Sequence, residues 1–283
     1  MPARRVAHTI ALSVIATVAV VLGVLGAQAH TVDPAPRSSA SATRSASASA
    51  SASAPVIPTT RVVGIGDSVM SGTACDCDGI PAVYARELAA RSRGRVTAVN
   101  LGQGGSTADS TEADLKGGLV DREAVASADV VLVIVGANDL GPADDRYEAG
   151  GCDAGCYGPL VDAMRGHLTA LLGDVRRLVG PHAQILVGTY WNVFPDGDPS
   201  IVPGGDAELA WSRALTADVN ETICRAAESA PASCVDLAAP FFGPAGAAPL
   251  LADDGDHPNG KGVDAIVAQL LDATDVRALG RTT

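Results

Sequence analysis

Ser68 stands in Gly66-Asp67-Ser68-Val69, directly after the β-branched, glycine-punctuated run Arg61–Gly66. A serine on a turn at a strand end can present its hydroxyl as a nucleophile if a base removes the proton. The chain has five histidines from which to choose that base. His8 lies in an N-terminal apolar segment, His30 just beyond it, His167 inside a helical stretch, and His182 behind Pro181 in a helix-to-strand connection. His257 remains, in Asp253-Asp254-Gly255-Asp256-His257-Pro258-Asn259, where the proline restricts its backbone to extended angles. Asp254, three residues earlier, can reach back to the far imidazole nitrogen, fixing the tautomer and stabilising the imidazolium. Attack on a carbonyl also needs donors for the developing oxyanion. Two further glycine turns supply candidates, Gly102-Gln103-Gly104-Gly105 and Gly136-Ala137-Asn138-Asp139. The set is that of acyl transfer by a serine.

These side chains must be carried by elements that converge. Arg61–Gly66, Val96–Leu101, Asp129–Val135, Gln184–Thr189 and Ser233–Leu237 read as strands, and the third is a continuous apolar run of the kind buried on both faces. Helical spacing runs through Ile80–Arg91, Leu160–Val179, Ala207–Ala230 and Gly260–Ala273. Strands alternating with helices predict an α/β fold, a three-layer α/β/α sandwich with a central parallel sheet. In such sheets ligands bind beyond the carboxyl ends of the strands, and three of the four polar turns lie there.

Taken together, Gly66-Asp67-Ser68-Val69, Asn100 with Gly105 five residues on, Gly136-Ala137-Asn138-Asp139, and Asp254-Gly255-Asp256-His257 resemble the four signature blocks of the SGNH, or GDSL, hydrolases, in the family's order. The resemblance implies a flavodoxin-like α/β/α fold, Ser68 as nucleophile, His257 as base, an oxyanion hole from the Ser68 and Gly105 amides with the Asn138 side chain, and no cofactor. It implies hydrolysis of carboxylic esters, as an esterase or lipase acting on a small-molecule or lipid ester. Val69 replaces the leucine of the family's name, Gly104 competes with Gly105 for the oxyanion role, and Asp253 and Asp256 flank Asp254. Some relatives orient the histidine through a backbone carbonyl, so the third triad member stays open. Gly-x-Ser-x-Gly is absent around Ser68, which disfavours the α/β-hydrolase elbow.

Other readings use the same residues. The site suits acyl transfer to a sugar or deacetylation of a polysaccharide as well as hydrolysis. A non-catalytic cell-wall-binding module would keep the fold, and Asp253, Asp254, Asp256 and His257 are a donor set for a divalent metal. Asn138-Asp139 could serve only to cap the segment that follows. Tyr190-Trp191-Asn192-Val193-Phe194 concentrates aromatic residues after a strand end, and Trp191 is a candidate to line the substrate pocket, with core packing as the alternative.

Outside the catalytic pattern the chain divides into three. Residues 1–29 have a basic start, an apolar middle and Ala27-Gln28-Ala29, the parts of a signal peptide; an uncleaved membrane anchor is the lesser reading. Residues 30–59 hold a Ser/Ala-rich stretch that lacks the large side chains needed to offset chain entropy, as expected of a flexible linker. Residues 60–283 form the hydrolase-type domain, expected to be extracellular and monomeric, with transient association to membrane or cell wall. The formal charge of −12 repels phosphate backbones and argues against nucleic acid as a partner. All six cysteines follow the leader, and an even number in an exported chain predicts disulfides. Cys224 with Cys234 is the favoured pair, while Cys75, Cys77, Cys152 and Cys156 pair within or between their clusters; a four-thiolate zinc site is the competing arrangement.

Overall fold

A computed structural model describes residues 59–193, 205–242 and 246–279. The expected signal peptide and most of the linker, and Phe194 of the aromatic run, lie outside the described residues.

Five parallel strands form one sheet in the order β2-β1-β3-β4-β5. They are β1 (Thr59–Gly66), β2 (Arg95–Gly102), β3 (Val130–Ile134), β4 (Gln184–Gly188) and β5 (Ser233–Val235). The register sets Val63 against Val99 and Val131, and Gly66 against Gly102 and Ile134, so β1 and its two neighbours end side by side. Every residue of β3 is buried, as its unbroken apolar sequence requires when helices cover both faces. Four longer helices do the covering: α2 (Ile80–Ser92), α6 (Ala154–Leu178), α7 (Gly205–Ser229) and α8 (Gly260–Asp272). Of these, α2 packs with α8, and α6 with α7.

Shorter helices, α1 (Ser68–Ser71), α3 (Ala108–Gly117), α4 (Arg122–Ala126) and α5 (Gly141–Glu148), fill the connections. The starts of α3 and α4 are set by side chains, whereas α5 starts without a side-chain cap and has Pro142 in its first turn. Thr107 and Ser110 form a reciprocal capping box on α3, and Asp121 caps α4. The α6 helix starts six residues before the point where its apolar spacing becomes visible. Asp153 caps its first turn by accepting from the Cys156 N–H, and Pro159 is accommodated inside the helix.

Each disulfide joins cysteines of one cluster: Cys75 to Cys77, Cys152 to Cys156 and Cys224 to Cys234. The loops they close are short, so they act on local geometry more than on the reach of the unfolded chain. Gly66 ends β1 with φ +151°, and a Cβ there would stand 1.9 Å from the Ile134 carbonyl oxygen. Only glycine lets β1 turn this close against β3, and the next peptide completes the contact as the Asp67 N–H donates to that oxygen at 3.0 Å. The turn that follows carries Ser68.

Candidate active site

Ser68 is the first residue of α1. Asp67 caps that turn, its Oδ1 accepting from the Val69 N–H at 3.0 Å, so the serine sits where backbone N–H groups are unpaired and the local field favours negative charge. Asn100 fastens the other end of α1 to the sheet: its amide donates to the carbonyls of Met70 (3.1 Å) and Ser71 (3.3 Å), while its oxygen accepts from the Gly102 N–H.

His257 arrives from the far end of the domain, on the connection between β5 and α8. The Ala252 N–H donates to the His257 carbonyl at 2.8 Å, Leu251 bridges to Pro258, and Gly255 takes φ +74°, which together fold 251–258 into a hairpin-like turn. Asn259 then caps α8 by accepting from the N–H groups of Lys261 and Gly262. His257 Nε2 lies 2.8 Å from Ser68 Oγ, and its Nδ1 lies 2.8 Å from Asp254 Oδ2. Asp256 Oδ2 is farther from Nδ1, at 3.6 Å, which leaves Asp254 as the orienting carboxylate in this geometry. A carboxylate on Nδ1 selects the tautomer whose Nε2 accepts the serine proton. Burial pushes the Asp254 carboxyl up, but the His257 and Asp256 backbone N–H groups and the imidazole hold it below its ordinary value, so it stays charged.

The two glycine-turn candidates meet at the same place. Gly104 lies against Ser68, since a Cβ on it would touch Ser68 Cβ at 3.9 Å, and Gly105 follows with φ +79° and nothing within 4 Å of the position a Cβ would take. Asn138 Nδ2 donates to the Ser106 carbonyl at 3.0 Å, which sets the Asn138 amide beside the Gly105 turn and leaves its second hydrogen available. Asp139 does not cap its own segment. Its Oδ2 accepts from the Ala108 N–H at 2.8 Å, joining the end of β3 to the start of α3. Burial raises its pKa to about 6 against that opposing bond.

Trp191 corrects the pocket expectation. Its side chain is 1% exposed, stacks on Phe241 with ring centroids 4.2 Å apart, and donates its indole N–H to the Asp256 carbonyl at 3.1 Å. The ring packs in the core against the histidine turn, the alternative that the sequence left open. The other histidine and carboxylate groups do not compete. His167, on α6, is held by Glu112 (2.8 Å) and Asp109 (3.3 Å). Those three residues are the group among the described ones whose donor atoms lie within 4.8 Å of one another, as metal binding would require; the run Asp253–His257 does not. Lys116 pairs with Glu112 on its other oxygen, so the cluster reads as an ion-pair network between α3 and α6.

Tyr190 is the residue that sequence reasoning missed. It is buried, and its hydroxyl donates to Asp67 Oδ2. The signal available is its position two residues beyond β4, in an aromatic run that fits pocket or core without calling for a polar partner.

A family model of the GDSL-like lipase/acylhydrolase family matches residues 65–265, and the chain belongs to that family. It is thereby a carboxylic ester hydrolase. Solved structures share the fold. A lipase from a goat rumen metagenome superposes with a TM-score of 0.63 at 20% identity, covering 77% of this chain and 99% of that one. The extracellular lipase of Streptomyces rimosus gives 0.56 at 20% identity over 76% and 100%. An acetylxylan esterase from Geobacillus stearothermophilus gives 0.53 at 18% identity over 79% and 95%. No curated protein of similar sequence is found. Among the described residues no helix is long and apolar enough to cross a membrane.

Proposed function

We propose that this chain is a secreted serine esterase that hydrolyses carboxylic esters through an acyl-enzyme on Ser68. The observation that carries the reading is the unbroken relay from Ser68 Oγ to His257 Nε2 at 2.8 Å and from His257 Nδ1 to Asp254 at 2.8 Å. His257 takes the serine proton as Oγ attacks the ester carbonyl. The Ser68 and Gly105 N–H groups and the free Asn138 amide hydrogen receive the oxyanion. His257 then gives its proton to the leaving alkoxide, which departs as the alcohol, and takes a proton from the water that releases the acid. Export is supported by the leader-like pattern of residues 1–29, and it suits a domain carrying three disulfides.

Labelling with a fluorophosphonate and mapping the modified peptide tests this reading. A single adduct on Ser68 with parallel loss of p-nitrophenyl ester hydrolysis is the expected result; no adduct, or one elsewhere with activity lost, overturns it. A series of esters of increasing acyl length, run with and without a competing alcohol, then fixes chain preference and the share of transfer. The oxyanion assignment carries its own expectation. Asn138→Ala should lower kcat by about 10²–10³ while leaving KM nearly unchanged, because the donor acts on charge that develops only in the transition state.

A further inference from the structure

Tyr190 and Trp191 are consecutive, and each reaches the residue that precedes one half of the Ser68–His257 pair. The Tyr190 hydroxyl donates to Asp67, next to Ser68, and the Trp191 indole donates to the carbonyl of Asp256, next to His257. The two residues lie just beyond the end of β4, and their side chains reach two different loops. Its main chain is itself anchored. The Tyr190 N–H donates to Asn220 Oδ1 at 2.9 Å and its carbonyl accepts from Asn220 Nδ2 at 2.7 Å, a reciprocal clasp to α7. Both side chains are 1% exposed.

We infer that Tyr190-Trp191 is a two-pronged brace that sets the separation of nucleophile and base, Tyr190 acting through Asp67 and Trp191 through the Asp256 carbonyl. The inference rests on the Ser68–His257 reading above, and both residues are positioning residues that touch no substrate.

The chemistry of the first prong exceeds what packing needs. Asp67 is 1% exposed and, among the described residues, no lysine or arginine pairs with it. A neutral Ser or Asn would cap α1 equally well, and phenylalanine would fill the volume of Tyr190. A buried carboxylate is costly unless its oxygens are satisfied. Here Oδ1 is held by the Val69 N–H and Oδ2 by Tyr190, and the groups facing it electrostatically are the His257 imidazole, which favours its charge, and the Asp256 carboxylate, which opposes it. Burial raises Asp67 to about 6, with the Tyr190 bond, the Val69 N–H and His257 all pulling the other way. The Tyr190 phenol, itself driven well above its ordinary value by burial, is a donor at every working pH, and the Ala137 N–H beside Asn138 faces its oxygen. One hydroxyl therefore meets the end of β1 and the end of β3.

Tyr190→Phe deletes that hydroxyl and little else. The expected result is a fall in kcat of up to about 10²-fold at nearly constant KM, the loss associated with small misplacement of reacting groups. The acid limb of kcat should also move to higher pH, because Asp67 loses a bond that lowers its pKa and its charged form is lost sooner as pH falls. In a cycle with Asp67→Asn the two losses should overlap and not add, since one acts through the other. A purely structural tyrosine would instead lower the Tm and leave kcat and the pH limb of the folded enzyme in place, and that outcome, or an additive cycle, overturns the inference. If Tyr190→Phe fails to fold, Trp191→Phe decides: a kcat-selective loss supports the brace, and parental kcat sinks it. Fluorophosphonate labelling of the parent separates the two failures. No adduct on Ser68 removes the esterase reading itself, while a labelled parent with an unaltered Tyr190→Phe variant removes the brace alone.

Discussion

Ser68→Ala is expected to lower kcat on short p-nitrophenyl esters by about 10⁶-fold, the size of loss seen when the nucleophile of a serine–histidine unit is removed. The substitution deletes one oxygen. Asp67 still caps α1 through the Val69 N–H and Asn100 still holds its far end, so the thermal midpoint should barely move. What survives is the slow hydrolysis that an oxyanion hole and bound water can support without a nucleophile. Purified variant and parent, compared by stopped-flow turnover and by fluorophosphonate adduct mass, read both parts of the expectation. A variant that keeps parental turnover while folded would mean that the hydroxyl 2.8 Å from His257 Nε2 is not the attacking group.

The second large effect belongs to His257→Ala, again about 10⁶-fold in kcat, because the serine alone is a poor nucleophile and the two act as a unit. The Ser68→Ala, His257→Ala double variant should then be no slower than either single one. Additive losses would show that the two residues work independently and would break the relay. His257 is also part of a structural turn, through its N–H to Asp254 and its carbonyl to Ala252. Those bonds are made by its backbone, so alanine retains them, and circular dichroism with the thermal midpoint checks that the loss is chemical. KM should change far less than kcat, since neither side chain is asked to bind the ground state.

The pairing of Ser68 with His257 was foreseeable because each step could be argued locally: a strand end, a base chosen from a short list, and a proline that fixes the backbone after it. The parallel sheet followed from apolar runs such as β3, whose pattern needs no knowledge of its neighbours. The short helices α3 and α4 were less visible because caps, and not apolar periodicity, define them, as the Thr107–Ser110 box and the Asp121 cap show. Pro159 hid the first turns of α6, since proline is read as a helix start far more readily than as an interior residue. Tyr190 and Asp67 meet across 123 residues, and no local spacing announces such a bond. Trp191 stayed open between pocket and core for a related reason. An indole after a strand end serves a pocket or a brace equally well, and only the Phe241 stack and the Asp256 carbonyl distinguish them.

The two ends of the relay are 189 residues apart, and α8, which follows His257 directly, docks on α2, which follows Ser68. Order of synthesis therefore becomes order of assembly. The nucleophile's mount on β1 and β2 can form early, yet it stays without a base until the last connection has folded back across the sheet. Parallel strands joined by long crossovers close slowly, because the loop entropy is lost before the contacts form. On the proposed relay, a chain halted before residue 257 carries Ser68 without the imidazole that would take its proton. On that relay, hydrolytic competence appears only once the segment that carries His257 has been made and has folded back beside Ser68.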